Sequence, residues 1–113
     1  MRTFAEFWPY YVREHSHPGN RLLHFTGTLL LLALAVVMVA LGWWWLALAL
    51  PVVGYGFAWS GHLLLEHNRP ATFRYPFWSL LADFKMFALM AVGRMGREIE
   101  KARQADGSPV KQS

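Results

Sequence analysis

The sequence contains no cysteine. Disulfides and thiolate metal sites are therefore excluded, and any bound metal must take nitrogen and oxygen ligands. Charge is scarce as well, at 16% of residues. Between Leu22 and Leu65 there is no Asp, Glu, Lys or Arg at all. A soluble helical core accounts for one such apolar stretch. Two adjoining runs of about 20 residues each are the length that crosses a bilayer. No nucleic-acid-binding motif is present. The formal net charge of +4 then points to membrane orientation and anionic headgroups, not to RNA or DNA. A cleaved secretory signal is not expected, because Glu6 and Glu14 precede the first apolar run and a second run follows at once.

What is present is a hairpin. Leu22 to Leu41 and Leu46 to Leu65 are the two runs, and Gly42-Trp43-Trp44-Trp45 is the turn between them. The tryptophans suit an interfacial aromatic belt. Pro51 should kink the second helix, while Gly27, Gly54, Gly56 and Gly61 permit close helix contact.

Thr3 to Val12 reads as an amphipathic helix with Thr3 as N-cap and Glu6 three residues on. Phe4, Phe7, Trp8, Tyr11 and Val12 share one face, which would lie in the membrane interface or pack on the hairpin. Asn20 can cap the first membrane helix. Pro76 opens a third helix expected to run to about Ala102, interfacial or half-inserted. The expected fold class is thus an all-α membrane protein: a single integral-membrane helical domain over residues 1–103, with 104–113 a disordered tail. Arginines flank both open ends of the hairpin and the turn carries none. Both termini are therefore expected in the cytoplasm, and a bacterial inner membrane is the expected location.

All five histidines, His15, His17, His24, His62 and His67, fall at one mouth of this hairpin. His24 and His62 lie about equally far from the tryptophan turn, so folding brings them to one depth. A polar group at membrane depth is a functional candidate by default. Imidazole suits iron, zinc, copper or nickel, and histidine with carboxylate and open positions is the pattern of non-haem iron(II) oxygenases. His24 and His62 supply two ligands and His15 can fold back as a third. Glu66, one turn from His62, is either a fourth ligand or a partner that fixes an imidazole. His17 and His67 read as interfacial hydrogen-bonding groups. Asp83 either supports the site or pairs with Lys85 or Arg94. Arg21 and Arg69 bind a substrate carboxylate or lipid headgroups.

Two stretches carry a resemblance: Tyr11 to Gly27, YVREHSHPGNRLLHFTG, and Gly61 to Ala71, GHLLLEHNRPA. His15, Pro18, Asn20 and His24, then Gly61, His62, Glu66, Arg69, Pro70 and Ala71, are similar to the pattern of a family of small membrane proteins. That family is typified by the fungal 2-hydroxy fatty acid dioxygenase of the endoplasmic reticulum. This chain has the shorter hairpin, and Ser16 stands where the fungal member has a second adjacent histidine. The resemblance implies an Fe(II)-dependent dioxygenase acting in α-oxidation, in which a long-chain 2-hydroxy fatty acid and O2 give a fatty acid one carbon shorter. His15, His24 and His62 would bind iron, Glu66 and Asn20 would serve catalysis, and Arg21 or Arg69 would hold the carboxylate. The lipid bilayer is the expected partner, and self-association into a homo-oligomer stays open. Two other readings compete: a non-catalytic membrane scaffold, and a haem or quinone protein using His24 and His62.

Overall fold

Thr3 opens the first helix in the computed structural model, which describes residues 2–105. Its hydroxyl accepts the Glu6 N–H at 3.2 Å, and helix α1 runs Phe4–Arg13, continuous through Pro9. The Glu6 carboxylate takes the Arg2 N–H at 2.8 Å, one residue before the usual reciprocal position of a capping box. Among the described residues every regular element is helical: α2 (Pro18–Leu41), α3 (Ala49–Gly61), α4 (Pro76–Ala91) and α5 (Met95–Ala105). Short 3-10 segments occupy Trp44–Leu48 and Ala71–Phe73, and a π turn occupies His62–Glu66. The last two described residues, Gln104 and Ala105, are the end of α5. The rest of the expected tail, 106–113, lies outside the described residues.

The chain packs as two compact units. The first joins the N-terminal segment up to Ser16 with the described residues from Pro70 onward. Its core sets Phe7, Trp8, Tyr11 and Val12 of α1 with Ala82 and Met86 of α4 and Met95 and Ala102 of α5. The apolar face of α1 was expected at the interface or on the hairpin; the C-terminal helices cover it instead. Ring packing fits that arrangement: Phe7 lies 5.4 Å from Tyr75 and 5.6 Å from Trp78, centroid to centroid. The single helix expected from Pro76 to about Ala102 is in fact two. Gly93 takes φ +74°, a left-handed conformation that ends a helix at little steric cost. The break sends α5 back along α1, where the Trp8 indole N–H donates to Glu98 Oε1 at 2.8 Å.

The second unit is His17–Arg69. Its first helix is capped by His17, whose Nδ1 accepts the Gly19 N–H at 2.9 Å, with Pro18 in the first turn. The expected cap, Asn20, is a turn inside the helix, because proline prefers the first helical position and so moves the cap to the residue before it. The 24 residues of α2 span about 36 Å at 1.5 Å each, and Gly42 closes the helix at φ +69°. α2 and the segment Trp44–Glu66 are each long and apolar enough to cross a membrane. The helices touch at glycine. A Cβ on Gly27 would come 2.7 Å from the Cβ of Phe57, and one on Gly54 would come 3.0 Å from a methyl of Leu31. Burial in this unit is inverted relative to a protein in water. Asn20, His24 and His62 are buried, while Val36, Leu48 and Val52 are each at least two-thirds exposed.

Candidate metal centre

His24 and His62 come together inside the hairpin. Their ring centroids are 5.0 Å apart and the rings are nearly perpendicular, at 89°. Both are buried, at 5% and 2% exposure. His24 is one helical turn beyond Asn20, and its Nδ1 lies 3.0 Å from the Asn20 carbonyl oxygen. His62 opens the π turn. Its carbonyl takes the N–H groups of both His67 and Asn68, and His67 closes the turn at φ 58°. That closure brings the Asn68 side chain back to His62, where Oδ1 lies 2.7 Å from Nδ1. A π turn is a known means of re-aiming one side chain in a helix at a functional site.

Glu66 and Asn20 also meet. Glu66 Oε2 accepts the His17 backbone N–H at 2.7 Å and the Asn20 side-chain amide at 3.1 Å. One carboxylate thus ties the open end of α2 to the end of the second apolar segment. The other side-chain atom of Asn20, Oδ1, is buried without a hydrogen-bond partner. It sits against Gly61, and any Cβ there would collide with it. A buried acceptor left unsatisfied costs about 1–3 kcal/mol.

His15 follows α1 in the other unit and is 1% exposed. Its Nδ1 lies 2.6 Å from the Tyr11 carbonyl oxygen, one turn back, and its ring stacks on the Tyr11 ring at 3.9 Å. The Tyr11 hydroxyl donates to Asp83 Oδ1. Asp83 was expected either to support the histidine site or to pair with Lys85 or Arg94. Its hydrogen bond is instead to Tyr11, and Lys85 Nζ stands 4.3 Å from the centre of the Trp8 ring. Asp83 as a residue is only half-buried, but its carboxyl group is desolvated. Burial pushes its pKa up to about 7, against a smaller lowering by the Tyr11 hydrogen bond. Burial, reinforced by the charge of Asp83, holds the Tyr11 phenol well above its ordinary range.

The three imidazoles share one pattern. In each, Nδ1 faces an amide oxygen, of Tyr11, Asn20 or Asn68. An amide oxygen only accepts, so the proton sits on Nδ1, and the lone pair sits on Nε2. That tautomer, fixed by a hydrogen bond to the far nitrogen, is the form in which histidine binds metals. His15, His24 and His62 are therefore buried donors that could bind a metal ion of the iron type. The remaining candidates are placed less deeply. Arg21 is half-buried in the first turn of α2 and Arg69 is exposed. His17 and His67 are exposed, the first as a helix cap and the second as the left-handed residue after the π turn. Sequence reasoning passed over Asn68 and the hydroxyl of Tyr11. The i, i+4 spacing of Tyr11 and His15 was a usable signal on a helix; nothing in the local pattern announces the π turn that recruits Asn68.

A groove of about 390 Å³ runs along α3, lined by Leu23, Val52, Val53, Gly56, Phe57 and Ser60. One end, at Leu23 and Ser60, adjoins His24 and Gly61 in sequence. The other, at Val52, is nearer the tryptophan turn. A Cβ on Gly56 would meet nothing within 4 Å.

A family profile described as 2-hydroxy-palmitic acid dioxygenase Mpo1-like matches residues 1–95. No curated protein and no solved structure matches the chain.

Proposed function

We propose, from the premise that this chain belongs to the Mpo1-like family, that it is an iron(II)-dependent dioxygenase of long-chain 2-hydroxy fatty acids. The observation that carries the reading is the common state of His15, His24 and His62: all buried, all with Nδ1 hydrogen-bonded to an amide oxygen. In this proposal the three converge as a three-nitrogen ligand set. His15 is only nine residues from His24, so the chain itself limits how far apart they can be. Ferrous iron held by such a set would keep open positions for O2 and for a chelating substrate. A balanced course turns RCH(OH)COOH and O2 into RCOOH, CO2 and water.

The protein's own groups then have distinct tasks. Arg21 and Arg69 hold the substrate carboxylate, which matches their charge and their place at the hairpin mouth. The unsatisfied Asn20 Oδ1 accepts a hydrogen bond from the 2-hydroxyl, which relieves the cost of its burial. Glu66 braces Asn20 and so orients that oxygen. The alkyl tail lies along the groove from Ser60 to Val52, whose volume is within the range of about 300–1,000 Å³ found for small-ligand clefts. The inverted burial of the hairpin supports insertion in a bilayer, because apolar side chains face outward and polar ones inward. Residues 1–103 act as one membrane domain in this reading, with both termini cytoplasmic in a bacterial inner membrane.

The test is metal content of detergent-purified protein, prepared without a nickel column, beside a His24→Ala, His62→Ala double variant. Near-stoichiometric iron lost in the variant, together with O2-dependent conversion of 2-hydroxyhexadecanoate to the acid one carbon shorter, is the expected result. No iron after anaerobic reconstitution, or a strong haem spectrum in the visible, would overturn it.

A further inference from the structure

One buried cluster in the first unit has no task in this chemistry. Tyr11 is 1% exposed and is enclosed on every functional side. Its ring stacks on the His15 imidazole, with centroids 3.9 Å apart and planes 26° apart. Its hydroxyl donates to Asp83. Trp8 stacks on it as well, at 5.5 Å and 14°. A tyrosine that served only to fill this core would be as well served by phenylalanine. Phenylalanine would fill the same volume but leave the desolvated Asp83 carboxyl without the hydrogen bond that the phenol donates.

We propose that Tyr11 is a redox-active residue, an internal one-electron reductant for an oxidised metal centre ligated by His15, with Asp83 as its proton acceptor. The inference rests on the metal reading above for its oxidant and on the first unit's own geometry for everything else. A phenol that loses an electron becomes a very strong acid, so it oxidises readily only where a base already sits on its hydroxyl. Asp83 is that base. The electron would leave through the stacked imidazole of His15, one of the residues that would hold the metal, and a bound oxidised metal would take it up. The proton moves from the Tyr11 oxygen to Asp83 Oδ1. The products are a neutral phenoxyl radical and a neutral carboxylic acid; one electron from an external thiol or similar small reductant, with the proton back from Asp83, restores the phenol and the carboxylate.

The surroundings confine the radical. Trp8 would be the next stop on the way to the surface, and its N–H has its own carboxylate partner in Glu98. Lys85 Nζ, however, stands 4.3 Å from the Trp8 ring centre. A cation on the ring face is stabilised by the neutral indole and repelled by an indole radical cation. The hole therefore stays on Tyr11.

The experiment is photochemical oxidation of the full-length, metal-free protein in detergent, using a ruthenium polypyridyl sensitiser and a sacrificial acceptor, with Asp83 ionised. Phenoxyl radical is read by transient absorption and electron paramagnetic resonance. Of the four tyrosines in the chain, Tyr11 should give the dominant long-lived signal. Tyr11→Phe, which keeps the stack, should abolish it. Asp83→Asn keeps a hydrogen-bond acceptor but cannot take the proton. It should lower the yield about tenfold, equivalent to about 1.4 kcal/mol. An undiminished signal in Tyr11→Phe, or an unchanged yield in Asp83→Asn with Tyr11 still the site, overturns the proposal. A second arm exposes iron-loaded protein to O2 without substrate. Protein that binds iron and is oxidised by O2 but forms no Tyr11 radical also overturns it. Protein that binds no iron overturns the metal reading, and the photochemical arm then decides on the Tyr11–Asp83 pair alone.

Discussion

Replacing Asp83 by Asn should change how the protein's stability depends on pH, in a direction opposite to that of an ordinary salt-bridged carboxylate. The folded pKa is raised, from 3.8 to about 7, chiefly by burial. Below the unfolded value the group is neutral in both states, and the fold carries no penalty. Between the two values the unfolded chain ionises while the folded chain keeps its proton, so stability falls as pH rises. Above about 7 the loss is complete. Each unit of difference is worth about 1.4 kcal/mol, so the whole interval amounts to at most about 4 kcal/mol. An asparagine in its place would not titrate, and its amide oxygen can still accept the Tyr11 hydroxyl. The assay is denaturant or thermal unfolding of both proteins in the same detergent at a series of pH values. Subtracting variant from wild type cancels the titration of every other group. Wild type should lose up to about 4 kcal/mol relative to the variant from about pH 4 to pH 8. A difference that stays constant across that range, or one that moves in favour of wild type as pH rises, would refute the reasoning.

Other substitutions test the second unit. Gly61→Ala would press a methyl group into Asn20, with Cγ at 2.9 Å. A cost of about 1–3 kcal/mol is expected for such overpacking, along with weakened metal binding, read by metal titration of the folded fraction. Gly56→Leu has open space for its side chain and should leave stability within about 0.5 kcal/mol. If the alkyl tail follows the groove, the same variant should shift turnover toward shorter 2-hydroxy acids, measured as a chain-length profile. His17→Ala removes the cap of α2 and should cost about 1 kcal/mol in unfolding experiments, while Ser or Asn at that position should restore it.

The hairpin was legible because its cause is local and additive. Uncharged apolar runs of spanning length must be helical in lipid, and Gly42 marks the turn by composition alone. The meeting of His24 and His62 followed from equal distance to that turn, which a helix pair converts directly into proximity. What escaped was decided by single hydrogen bonds or by partners far apart in sequence. Asn20 resembles a cap, but His17 was free to do that work once Pro18 set the first turn. Asn68 reaches His62 only because five residues adopt a π turn, and no periodicity in His62–Glu66 marks that choice. One helix was expected from Pro76 to about Ala102, and the left-handed Gly93 divides it. The partnership of Tyr11 and Asp83 joins two helices with the whole hairpin between them, beyond the reach of any window of local pattern.

That last separation also governs how the protein comes into being. Tyr11 is made 72 residues ahead of Asp83. At about 5–20 residues per second, the ribosome delivers the second partner roughly 4–14 s after the first. During that interval α1 has none of the helices that will cover Phe7, Trp8 and Tyr11, and the hairpin between them is finished before α4 is made. A message truncated anywhere between the hairpin and α4 would still yield a finished pair of apolar helices, but with an aromatic face permanently uncovered. The discontinuous unit thus makes the far end of the chain a condition for burying its beginning, and an unfinished copy exposes the hydrophobic surface by which cellular proteases recognise it.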